Sequence, residues 1–123
     1  MILVVDDEPL IRAAIADYLQ GCGFQVIEAG NAADAIAALQ SHTNVDFVFS
    51  DVRMPGEMDG FGLSRWIRAY RPGLPMLITS GDSGKAEAAK ALCENEPFMA
   101  KPYDEHKVVA HIRAAIRPQA ATA

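Results

Sequence analysis

Along this chain short apolar runs alternate five times with segments of helical periodicity, and four of the runs end on a polar group. Ile2-Leu3-Val4-Val5 leads into Asp6-Asp7. The run 45–50 leads into Asp51, Met76-Leu77-Ile78-Thr79 into Ser80, and Phe98-Met99-Ala100 into Lys101. Runs this apolar suit strands covered on both faces, the situation of a parallel sheet with helices on each side. The carboxyl ends of parallel strands share one edge, where open α/β sheets bind their ligands. Three carboxylates, a hydroxyl and an ammonium would meet there, a set suited to a metal ion and a phosphoryl group. The alternation predicts one (βα)5 domain that uses the whole chain.

The intervening segments carry the matching signals. Pro9 suits the first turn of a helix, with Asp7 and Glu8 favourable beside its positive end. Ile11, Ala14, Ile15, Tyr18 and Leu19 form an apolar stripe, and Gly21 and Gly23 stop it. A second strand is predicted over 24–29. Asn31 is a natural cap for a second helix with Ala32, Ala35, Ile36 and Leu39 on one face. Met54-Pro55-Gly56 opens a turn-rich loop to Gly60, and a third helix follows with Leu63, Trp66, Ile67 and Tyr70 inward. The Ala-rich segment 84–95 has a weak stripe and reads as a fourth helix. Asp104 caps a last helix carrying Val108, Val109, Ile112, Ala115 and Ile116, and 118–123 form a short flexible tail.

Composition narrows the class. With 123 residues, half of them hydrophobic, the chain can bury one core and is not a disordered segment. No apolar stretch approaches the roughly 18–20 residues that span a bilayer, and no export signal opens the chain. The expected compartment is the cytoplasm, with no membrane partner. A net charge of −5 without a Lys/Arg run argues against a direct nucleic-acid partner. Cys22 and Cys93 have no metal-ligand spacing and are expected as free thiols.

Taken singly, each strand-end group has more than one reading. Asp6 and Asp7 are either an acidic helix start favoured by the macrodipole or a pair that a hard cation such as Mg²⁺ would neutralise. Asp51 could serve as a ligand, a base, a turn residue, or a nucleophile forming an acyl phosphate. Attack on an anionic phosphoryl group needs positive charge beside it, which Mg²⁺ and Lys101 would supply. Lys101 otherwise snorkels to solvent. Thr79 and Ser80 are both hydroxyls at a strand end, and Thr79 also fits as an ordinary β-branched strand residue.

Their order along the chain is more specific. Val4-Val5-Asp6-Asp7-Glu8-Pro9, Ser50-Asp51-Val52-Arg53-Met54-Pro55-Gly56, Met58-Asp59-Gly60, Thr79-Ser80-Gly81 and Lys101-Pro102-Tyr103 together span nearly the full length. In these motifs the chain closely resembles the receiver domain of bacterial two-component response regulators, of the stand-alone, chemotaxis-regulator kind. The resemblance implies a flavodoxin-like fold, α/β and doubly wound, with a five-stranded parallel sheet in strand order 2-1-3-4-5. The receiver domain would occupy 1–117, with no output domain.

The same resemblance implies Asp51 as phospho-acceptor, with Mg²⁺ held by Asp6, Asp7, Asp51 and the backbone carbonyl of Arg53. Lys101 would pair with the phosphoryl group. Counted from Pro75, the switch hydroxyl falls on Ser80 rather than Thr79, and Phe98 takes the aromatic switch position. A histidine kinase or histidine phosphotransfer protein would donate the phosphate. The surface of the fourth helix, fifth strand and last helix would then change for a downstream protein target, or the phosphate would pass onward. Such a chain is a monomer or a phosphorylation-dependent dimer. It is no conventional enzyme, though it catalyses its own phosphorylation and slow dephosphorylation.

Some positions depart from the common pattern. Glu57 lengthens the loop before Met58-Asp59-Gly60 by one residue, and Phe98 lacks the hydroxyl of a tyrosine. Arg53, two residues past Asp51, is expected to influence the lifetime of the acyl phosphate. Three other readings compete: a receiver cut from a hybrid histidine kinase, a Mg²⁺-dependent phosphohydrolase, and a degenerate pseudo-receiver. Arg53 stands where the hydrolase would need an acid/base carboxylate. The pseudo-receiver would lack part of a set that is complete here.

Overall fold

The computed structural model describes residues 1–52, 58–80, 98–100 and 103–116. The expected fourth helix over 84–95, the tail 118–123, Arg53, Lys101 and Cys93 lie outside them. For Ser80 and Phe98 the backbone is described and the side chain is not. Five strands are present: β1 (Ile2–Val5), β2 (Val26–Ala29), β3 (Phe47–Asp51), β4 (Met76–Ser80) and β5 (Phe98–Ala100). They form one sheet in the order β2-β1-β3-β4-β5, with every neighbouring pair parallel. The helices among the described residues are α1 (Pro9–Gly21), α2 (Ala32–Ser41), α3 (Gly60–Tyr70) and a C-terminal helix, α4 (Glu105–Ile116). The doubly wound, flavodoxin-like architecture expected from the sequence is the one observed.

Alternation along the strands divides the core in two. Leu3, Val5, Val48, Met76 and Ile78 face one side and pack with Ala32, Ala35 and Leu39 of α2 and with Leu63 and Ile67 of α3. Ile2, Val4, Phe47, Phe49 and Leu77 face the other, against Ile15 and Leu19 of α1 and Val108, Val109 and Ile112 of α4. Both faces of β1 and β3 are therefore buried, which is why those runs show no polar alternation. Among the described residues no helix is long and apolar enough to cross a membrane.

The helix ends follow their signals. Pro9 takes the first position of α1. At its other end the Gly23 N–H donates to Gln20 O at 3.0 Å and the Phe24 N–H to Leu19 O at 3.1 Å, with Gly23 at φ 97°. That is the paired closure of a Schellman motif, and it explains why β2 starts at Val26 instead of residue 24. Asn31 Oδ1 accepts the Asp34 N–H at 2.8 Å, and Asp104 Oδ1 accepts the His106 N–H at 2.9 Å, so both expected caps are in place.

Three expected core positions are corrected. Ala14 is exposed while Ala16 is buried, because the inward face of α1 centres on Leu19 and Ala14 lies about 140° around the helix from it. Tyr70 is 68% exposed. It sits in the last turn of α3, lining an open cleft with Val45, Asp46 and Leu74 where β3 and β4 begin, so the helix outruns the sheet. Its ring rests instead on Trp66, 5.0 Å between centroids. Ala115, in the last turn of α4, is likewise exposed. Cys22 is a free thiol, as expected.

Candidate functional site

β1 and β3 are hydrogen-bonded neighbours in register, Val5 opposite Ser50, so the residues that leave their carboxyl ends emerge side by side. Those residues are Asp6, Asp7 and Asp51. One carboxylate oxygen from each lies within 4.8 Å of the others. Asp6 and Asp51 are only 4% and 6% exposed, whereas Asp7 is open to solvent. Buried carboxylates are stable when paired, hydrogen-bonded or bound to a cation. Donors that are all carboxylate oxygen, with one side open for water, suit a hard ion such as Mg²⁺. The residues present therefore fit the metal that the sequence motifs imply.

The backbone around these carboxylates is tied down. Asp6 donates its N–H to Ala29 O at 3.1 Å, and Asp6 Oδ1 accepts the Glu8 N–H at 2.9 Å. On the acceptor strand, Ser50 Oγ donates to Asp51 O at 2.9 Å. The Val52 N–H donates to Thr79 O, and the Gly60 N–H donates to Val52 O, both at 2.9 Å. Asp59 caps α3 by accepting the Gly62 N–H on Oδ1 at 2.9 Å. A Cβ at Gly60 would stand 2.5 Å from Asp51 O and 2.8 Å from Val52 Cα. Only glycine lets the head of α3 lie this close to the end of β3.

Thr79 is the strand partner of Asp51 across β3 and β4, and of Met99 across β4 and β5. It is 2% exposed, and among the described residues its Oγ1 has no hydrogen-bond partner. Ser80 ends β4 opposite Ala100, at the same edge as the three carboxylates. Tyr103, which follows Lys101-Pro102, sets its ring edge-on to Phe49 at 5.2 Å between centroids. The structure thus brings Asp6, Asp7 and Asp51 together and sets the backbone of Ser80 at their edge. The side-chain positions of Arg53, Lys101, Ser80 and Phe98 lie outside what is described.

Residue types alone did not reveal several supporting groups. Arg12, on α1, donates from Nη1 to the Asp6 carbonyl at 2.8 Å. The only trace it leaves in sequence is a lone cation one turn into a helix with an acidic start. In the sequence Gly60 shows only as the glycine that ends a turn-rich loop.

Comparison with known proteins agrees with this geometry. The family model described as "Response regulator receiver domain" matches residues 2–113. Among curated proteins, the "DNA-binding transcriptional regulator NtrC" of Escherichia coli K12 is 35% identical over 117 residues, covering 94% of this chain and 24% of that protein. The "Probable transcriptional regulatory protein TcrX" of Mycobacterium tuberculosis is 32% identical, covering 94% of this chain and 49% of that protein. The chain thus spans about a quarter of the length of one of these relatives and about half of the other. Among solved structures, the receiver domain of NtrX from Brucella abortus superposes with a TM-score of 0.85 at 30% identity, covering 97% of this chain and all of that one.

Proposed function

This chain belongs to the response regulator receiver domain family, and we propose that within it Asp51 is the phospho-acceptor of a two-component phosphorelay. Receiver domains are signalling switches and not conventional enzymes. The observation that carries the reading is the convergence of Asp51 with Asp6 and Asp7 at the carboxyl ends of β3 and β1.

In the proposed step a carboxylate oxygen of Asp51 attacks the phosphorus of a phosphohistidine on a kinase or phosphotransfer protein. The O–P bond forms as the P–N bond breaks, and the electron pair stays on the imidazole nitrogen, which takes a proton from solvent. Mg²⁺ held by Asp6, Asp7, Asp51 and the backbone carbonyl of Arg53 would supply the positive charge that lets one anion approach another. Burial of Asp51 limits the water around its carboxylate, and the bonds that Ser50 makes with Asp51, and that Thr79 and Gly60 make with Val52, hold its strand end still. Lys101 pairs with the new phosphoryl oxygens, and Ser80 donates its hydroxyl to one of them. Phe98, lacking a hydroxyl, relays the change through packing. Hydrolysis of the acyl phosphate returns the carboxylate and releases inorganic phosphate.

The readout is a changed surface around β5 and the C-terminal helix that a protein target recognises, since local charge acquires distant effect through a two-state packing change. A chain of net charge −5 is a poor direct ligand for nucleic acid.

The test is mass spectrometry after incubation with Mg²⁺ and a small acyl-phosphate donor. A single phosphate-mass adduct, labile to base and missing from Asp51→Asn, is expected. No adduct, or one that persists in Asp51→Asn, would overturn the assignment.

A further inference from the structure

Three polar groups of Asp6 are anchored by three different parts of the fold. Its N–H is bonded to β2 through Ala29 O, its Oδ1 to the turn through the Glu8 N–H, and its carbonyl to α1 through Arg12 Nη1. The last bond comes from a side chain that is itself positioned. Arg12 Nε donates to Glu28 Oε1 on β2 at 3.2 Å, and the Arg12 side chain is 22% exposed. Gly30, where the chain leaves β2, gives it room, since a Cβ there would stand 3.2 Å from Nη1. Gly30 has no positive φ, so space and not backbone conformation is what a side chain would violate there.

We propose that Arg12 is a positioning residue for the acidic edge. Oriented by Glu28 and accommodated by Gly30, its guanidinium fixes the Asp6 carbonyl and with it the turn that aims the Asp6 and Asp7 carboxylates toward Asp51. A bare cation so near the pocket would compete with a metal ion. Glu28 offsets that charge, so Arg12 contributes geometry while the pocket stays negative. The planar guanidinium presents Nε to the carboxylate and Nη1 to the carbonyl in a fixed geometry, which the single nitrogen of a lysine does not offer. The inference rests on reading Asp6 and Asp7 as the ion-holding pair.

The test measures Mg²⁺ affinity of the full chain by isothermal titration calorimetry, with thermal unfolding in metal-free buffer alongside. Groups that orient metal ligands typically change affinity by 10–100-fold when removed, so Arg12→Met is expected to weaken Mg²⁺ binding about tenfold. Gly30→Ala should weaken it about threefold in the unaltered chain and have no effect in the Arg12→Met background, a coupling that independent sites do not show. Glu28→Ala should also weaken binding, and with Gly30→Ala it decides the matter if Arg12→Met does not fold. A purely structural Arg12 would lower the unfolding midpoint and leave Mg²⁺ affinity unchanged, which would overturn the proposal. An equal effect of Gly30→Ala in both backgrounds would also overturn it. If the unaltered chain binds no Mg²⁺, the ion-holding reading itself fails, and the positioning role falls with it.

Discussion

A methyl group added at position 60 meets backbone on two sides, the Asp51 carbonyl and the Val52 Cα, and neither can rotate away. Gly60→Ala is therefore expected to cost about 2 kcal/mol or more, read as a fall in the urea midpoint, because overpacking against main chain forces elements apart. Thr79 presents the opposite case. Its buried hydroxyl has no partner among the described residues, and such a group costs about 1–3 kcal/mol to bury. Thr79→Val keeps the shape and removes the penalty, so urea unfolding should show unchanged or higher stability. A clear loss would mean that the hydroxyl is bonded in solution. At this scale Asp6, Asp7 and Asp51 were legible because a carboxylate closing an apolar run has few places to go. Arg12 and Gly60 were not. Each acts on a backbone carbonyl contributed by another element, and nothing in a residue's type records which carbonyl it will meet.

At the scale of elements, sequence signals located starts better than inward faces. Pro9, Asn31 and Asp104 each mark a helix start where expected, because capping is settled within three residues of chain. Inward faces depend on where the sheet ends. Tyr70 belongs to the apolar stripe of α3 by angle, yet it lies past the start of β3 and β4 and is exposed. The beginning of β2 was misplaced for a similar reason, since the Phe24 N–H is committed to closing α1. The cap on α4 also carries a pH signature. The His106 backbone N–H, bonded to Asp104, holds that carboxyl below its ordinary value. A group so lowered stabilises the fold at pH values above its unfolded-state pKa, and the contribution is lost as pH falls through the lowered folded value. Asp104→Ala should therefore narrow the stability gap to the parent chain as an acid titration proceeds below about pH 4, followed by circular dichroism.

For the whole molecule, topology does what no motif can do alone. Residues 6, 7 and 51 become neighbours only because β3 pairs directly with β1, with β2 on the far side. An ion that binds this arrangement and not the unfolded chain must stabilise the fold. Mg²⁺ at a hundred times its dissociation constant should add about 2.7 kcal/mol, seen as a higher unfolding midpoint that disappears in Asp6→Asn. The pairing of β1 with β3 has another consequence. The acidic edge has no existence in a chain whose central strands have come apart, so a damaged or half-made copy cannot pose as an available receiver. Under the proposed function, such a copy would take up no phosphate that it has no means to report.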